Sequence, residues 1–228
     1  MIANKKKFFG GLVLLLGFIV VLIIMFTPVF NGQNGLKYMD SLYNSISKGS
    51  AYYIPELKEE VEKFQGNNIT VTLSMKDEQQ ARETVPLFEK GGALVSLSGK
   101  EIKVSGDLKN ILANCLEDAD NMFENQGHQL KAKYDYEEKR VLYNWWVALK
   151  AMDSDLKKQK KFSEAKFIAS VGNKAVECSY NYYEIKPQKI ADKYGIVFLT
   201  LCFYVIYTIW YGFAIMFMFE GWGLQLKN

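Results

Sequence analysis

The sequence predicts an α+β membrane protein: two transmembrane helices flank a mostly helical exported domain that contains a small β-α-β-β unit. Three observations predict it. Two charge-free apolar runs, 8–30 and 195–219, bracket the chain, and each exceeds the roughly 20 helical residues, at about 1.5 Å apiece, that cross a bilayer core. Between them, residues 68–74 alternate apolar and polar, the period of a half-buried strand. From Asp107 onwards apolar residues recur at threes and fours, the period of helices facing a core.

The first run follows Lys5, Lys6 and Lys7, the arrangement of a secretory signal. It is longer than the roughly 7 to 15 apolar residues of a signal core, and residues 27–31 hold no small-x-small cleavage site, so a retained span is expected. Charges close to the spans set orientation, which places the three lysines in the cytoplasm and the middle domain outside. The expected organisation is therefore a cytoplasmic N-terminus (1–7), a first transmembrane helix (8–30), a periplasmic or extracytoplasmic domain (31–193), a second transmembrane helix (194–219) and a cytoplasmic tail (220–228). That describes a two-pass protein of the cell (inner) membrane, with Tyr194 and Trp222 near the interfaces.

Within the domain, Leu36, Met39, Leu42, Tyr43 and Ile46 predict a helix that stops at 48–50, and Pro55 opens a second that runs to Gly66. Residues 76–90 read as a helix that Pro86 should kink or end. Two short strands, 93–97 and 101–105, follow with a tight turn at Ser98-Gly99-Lys100. Asp107 is the N-cap of a helix through Phe123 with Gly127 as its stop. A further helix starts near Tyr134 and carries a heptad stripe, Leu142, Trp145, Leu149, Met152 and Leu156, which reads as one face of a helical bundle. After five residues rich in lysine a second stripe, Phe162, Ala165, Ala169, Gly172 and Val176, suggests close packing on the Asp107 helix. The spacing fits one helix of about 75 Å from Tyr134 to Tyr183 or two shorter ones.

Charge and composition exclude several functions. Residues 31–193 hold 24 basic and 24 acidic side chains, so the basic footprint of nucleic-acid binding is missing. Residues 31–130 are net acidic and 131–193 net basic, which reads first as two halves that attract each other. His128 is the only histidine, reading as an exposed loop residue, and no P-loop, GxGxxG, GxSxG or CxxCH motif occurs. The reading is of a protein that is not an enzyme, with no catalytic residues, metal ligands or cofactor. Glu117, Asp120 and Glu124 share a helix face, but without a surrounding loop of oxygen ligands they read as solvated acids. Cys115 and Cys178 both fall in the exported domain, where an oxidising compartment would permit a disulfide.

The second apolar run holds the least ordinary pattern. Thr200, Tyr204, Tyr207 and Tyr211 follow at intervals of 4, 3 and 4, placing their hydroxyls on one helix face. Polar side chains within a bilayer favour protein neighbours, so these four are the expected interface with other integral membrane subunits, alongside the lipid bilayer itself. Gly10, Gly11 and Gly17 offer the first helix close contacts. Sensors of this outline relay to a cytoplasmic module, which the short tail 220–228 is not expected to contain. The functional expectation is a non-catalytic accessory or scaffold subunit of a larger membrane complex. The alternative is an extracytoplasmic ligand-binding or sensory domain that modulates a partner transporter or receptor, with a pocket lined by Trp145, Trp146, Tyr180, Tyr182 and Tyr183. The small-molecule ligand is left open.

Overall fold

The computed structural model describes residues 2–30 and 32–224. Met1, Asn31 and residues 225–228, the last four of the expected tail, lie outside them. The chain forms two compact units. It is mostly helical, at 73%, with a three-stranded sheet and two helices long and apolar enough to cross a membrane.

The first unit comprises residues 1–47 and 187–228. Its α1 runs from Lys5 to Phe26 after an Asn4 cap, whose side chain accepts from the Lys7 N–H. The apolar run continues to Phe30, but the helix stops at Phe26. Thr27 precedes Pro28 and is held extended (ψ 151°), because the proline ring disfavours helical backbone in the residue before it. Helix α2 spans Gly35–Ser50, its last residues belonging to the second unit. The long helix α10, Ile190–Trp222, ends at Gly223 in the left-handed conformation, the usual glycine stop.

The second unit, Lys48–Lys186, holds the main core. It begins with α3 (Ile54–Glu60), which tightens into a 3₁₀ turn over Val61–Phe64. Strands β1 (Asn68–Ser74), β2 (Leu94–Ser98) and β3 (Glu101–Asp107) form an antiparallel sheet in the order β1-β3-β2. Alternation buries Ile69, Val71 and Leu73 of β1 with Ile102 and Val104 of β3, the face that a period of two selects. The β2–β3 turn has Gly99 at φ 59°, a position an L side chain resists.

Helix α4 (Glu78–Lys90) joins β1 to β2 and passes through Pro86 without ending. The carbonyl this proline leaves unpaired is that of Arg82, an exposed residue, and the next one, Glu83 O, accepts from the Tyr136 hydroxyl at 2.9 Å. Leu87 and Phe88, both fully buried, anchor the last turn, so packing outweighs the local penalty of about 3 kcal/mol.

The helices that follow are α5 (Leu108–Phe123), α6 (Gly127–Tyr134), α7 (Glu138–Lys158), α8 (Phe162–Val171), a π-helical segment (Gly172–Glu177) and α9 (Cys178–Tyr182), of which α7 and α5 pack on the sheet together with α4. Asp107 caps α5 through the Asn110 N–H. Two boundaries differ from the sequence reading. Asn125 at φ 61° ends α5 in place of Gly127, which instead opens α6; asparagine tolerates the left-handed region. Gly127 is needed for space, since a methyl there would lie 2.7 Å from Tyr183 Cζ. Tyr134 closes α6 rather than opening α7, which Glu137 caps through the Arg140 N–H. Lys160 at φ 62° separates α7 from α8, giving shorter helices rather than one long rod. All five residues of the heptad stripe on α7 are buried, and α8 packs mainly on α7, with Phe162 turned outward.

The acidic and basic halves meet in pairs. Arg140 Nε donates to Glu83 at 2.8 Å, holding that carboxyl below its ordinary range despite partial burial. Lys133 donates to Asp118 at 2.8 Å, while the Tyr134 hydroxyl (2.6 Å) and Trp145 Nε1 (2.8 Å) complete the shell of that fully buried carboxylate. Burial nonetheless pushes Asp118 above the ordinary carboxyl value. Replacing Asp118 with Ala strands the Tyr134 and Trp145 donors and leaves Lys133 with Asn114 and Glu117, and removing one partner of a buried pair typically costs about 3–5 kcal/mol. We expect Asp118→Ala to lower unfolding stability by that amount in chemical denaturation of the detergent-solubilised chain, with a red shift of Trp145 emission.

Candidate functional site

In the first unit the two long helices form an antiparallel pair whose contacts are small residues and polar groups. A methyl on Gly11 would lie 2.7 Å from Ala214 O, and one on Gly17 3.0 Å from the Trp210 ring. Gly10 faces open space. Trp210 Nε1 donates to Leu14 O at 3.0 Å and the Tyr207 hydroxyl to Phe18 O at 3.1 Å. The Tyr207 ring also stacks on Phe18, with centroids 4.1 Å apart. Lys7 pairs with Glu220 at 2.8 Å, and the Asn4 N–H donates to Gly221 O. In a bilayer, tails are as apolar as leucine, so close backbone approach and interhelical hydrogen bonds are what hold such a pair.

This arrangement divides the hydroxyl face. Tyr207 is spent on α1, and Thr200 shares a 3.0 Å hydrogen bond with Tyr43 of α2 while also donating to Val197 O. Tyr211 flanks Phe18 at 5.1 Å yet stays 47% exposed. Tyr204, 68% exposed, has no hydrogen-bond partner for its hydroxyl among the described residues. Trp210 was the residue the spacing missed; its indole N–H lies on the same side as the tyrosines, and only the position of α1 gives it a role.

The second unit has two further features. Lys48, almost wholly buried, donates to Ile185 O at 2.8 Å and to Asn125 Oδ1 and Tyr182 O at 3.0 Å, over the Phe123 ring. It thereby fastens the beginning of this unit to its end. Burial lowers the Lys48 pKa, against the pull of Glu124 and Cys178. The other is an open groove of about 270 Å³ between α7, the π segment and α9, lined by Leu142, Tyr143, Trp146, Val176, Glu177, Tyr180 and Asn181. Of the five aromatic residues expected to line a pocket, Trp146 and Tyr180 meet there. Trp145 is interior, Tyr182 packs edge-on to Phe123, and the Tyr183 hydroxyl donates to Glu138.

The remaining candidates are dispersed. Asp120 accepts from Tyr52 and pairs with Lys58, whereas Glu117 pairs with Lys133; among the described residues no group of acids, histidines or cysteines is placed to hold a metal. His128 is exposed on α6 rather than in a loop. Cys115 and Cys178 are free thiols. Cys115 is fully buried and its pKa lies well above the ordinary value, while Cys178 Sγ donates to Ala51 O at 3.4 Å. Comparison with protein families, with characterised proteins and with solved structures finds no match to this chain.

Two outcomes test this geometry. Gly11→Val should cost about 2 kcal/mol in detergent unfolding, from overpacking, against about 0.6 kcal/mol for Tyr207→Phe, which removes one interhelical bond. Lys48→Met should cost about 2 kcal/mol at neutral pH, because it removes hydrogen bonds from a charged donor to three acceptors that each keep one other donor. Because the folded pKa of Lys48 is depressed, the unfolded chain binds more protons between that pKa and 10.5. Stability from Lys48 therefore rises with pH across that window, and the gap to Lys48→Met should widen towards pH 10.5 in urea titrations.

Proposed function

We propose that this chain is a non-catalytic accessory subunit of a larger integral membrane complex, a two-pass protein whose helices dock on other membrane subunits while its second unit covers or braces the assembly outside the cytoplasm. The observation that carries this reading is Tyr204. It sits near the middle of the 33-residue α10, about four turns from its start and five from its end, with its hydroxyl unpartnered among the described residues on a face α1 leaves open. A hydroxyl in hydrocarbon without a hydrogen bond costs several kcal/mol, and a neighbouring helix supplies one. The ends of α1 and α10 joined by Lys7–Glu220, beside Lys5 and Lys6, support cytoplasmic placement of both termini.

The test is native purification from membranes with mass spectrometry of what accompanies the chain. Tyr204→Phe, which removes only the hydroxyl, should reduce the recovered partner about tenfold, near the upper end measured for one intramembrane hydrogen bond. A wild-type chain that runs alone and fully stable in mild detergent overturns the reading.

The aromatic groove of Tyr143, Trp146 and Tyr180 favours a second reading, a ligand-binding domain that modulates a partner transporter or receptor. That reading requires a ligand-dependent rise in melting temperature, lost in Trp146→Ala.

A further inference from the structure

The two edges of the sheet are treated differently. The outer groups of β1 are capped by side chains from beyond α7's middle: the Thr72 N–H donates to Asp155, Gln159 Nε2 donates to Thr70 O at 2.8 Å, and Lys161 reaches Asn68 O. Natural sheets blunt an edge in this way to prevent strand addition. At β2 no such cap exists among the described residues. Ser98 and Glu101 close the two-residue turn and form a hydrogen-bonded pair with each other, so alternation directs the N–H and C=O of Val95 and Leu97 away from β3. The strand carries no charge, proline or bulge.

The apolar face is also interrupted at this edge. Leu97 stands in the cross-strand row of Leu73 and Ile102, and Val95 in that of Val71 and Val104. The four inner members are fully or almost fully buried, yet Leu97 is 41% exposed. Both rows stop where another strand would continue them.

We propose that β2 is a homodimerisation edge that pairs antiparallel with β2 of a second copy about a two-fold axis at Ser96. The strand is self-complementary in that register. Val95 faces the second copy's Leu97 and Leu97 its Val95, each pair exchanging both N–H···O bonds, with the two Ser96 residues as the non-bonded pair between them. Each apolar row then runs unbroken from one sheet into the other, covering Leu97. On the opposite face Leu94 (80% exposed) meets the second copy's Ser98, and no like charges are brought face to face.

The experiment uses the full chain in native membranes with Cys202 replaced by Ala. Cα atoms of a non-bonded antiparallel pair lie about 4.5 Å apart, within the disulfide range. Mild oxidation should therefore link Ser96→Cys into a dimer about tenfold more than Thr70→Cys on the capped β1 edge. Leu97→Pro, which removes an outward N–H, and Ser96→Lys, which sets two cations opposite each other, should both shift the purified chain from dimer to monomer by light scattering. Ser96→Lys leaves every bond between β2 and β3 in place, and an unchanged melting profile identifies its effect as one on pairing. Equal cross-linking at positions 96 and 70, or a dimer that survives Ser96→Lys, overturns the proposal.

Discussion

The Trp145–Asp118 hydrogen bond is the contact on which the larger unit depends. Trp145 is wholly interior and packs edge-on against Phe88 of α4, centroids 5.4 Å apart, so its indole N–H must find an acceptor inside the core. Asp118 of α5 supplies one. A buried carboxylate in turn requires further donors, and Lys133 and Tyr134 at the end of α6 provide them, with Asn114 bonded to both. Four helices are thereby placed by one polar chain within an otherwise apolar interior. α6 ends at Tyr134 with Asp135 in the left-handed conformation, and in that position the Tyr134 hydroxyl donates to Asp118.

The smaller unit is held by different physics. Glycines at 11 and 17 let α10 approach, and Tyr207 and Trp210 then donate to carbonyls one turn apart on α1. Neither contribution relies on expelling water, which suits helices whose outer surfaces are almost entirely apolar. It divides the tyrosine face: the side turned to α1 builds the pair, and the Tyr204 hydroxyl has no partner among the described residues.

Much of the architecture was legible in local pattern. Alternation at 69–73, the Asp107 cap and the α7 stripe follow from short-range stereochemistry, and each is found where spacing puts it. The errors have a common cause. At Pro86, Gly127 and Tyr134 tertiary packing overrides local preference: burial of Leu87 and Phe88 in the core anchors a helix through a proline, Tyr183 claims the space at Gly127, and Asp118 accepts from Tyr134. For the hydroxyl face, periodicity grouped Thr200, Tyr204, Tyr207 and Tyr211 on one side of a helix but held no information on where α1 would lie against it.

Local chemistry alone therefore sets the two long apolar helices, the strand and helix order between them and the residues that face inward, because hydropathy period and capping act over a few residues. Long-range packing selects which of the equivalent polar groups on a face is satisfied within the chain, where helices stop against their preferences, and that among the described residues side chains cap the β1 edge of the sheet and not the β2 edge. Those outcomes depend on atoms brought together by the fold, from 16 residues apart at Tyr134 and Asp118 to 189 apart at Phe18 and Tyr207, and local period and capping do not report on them.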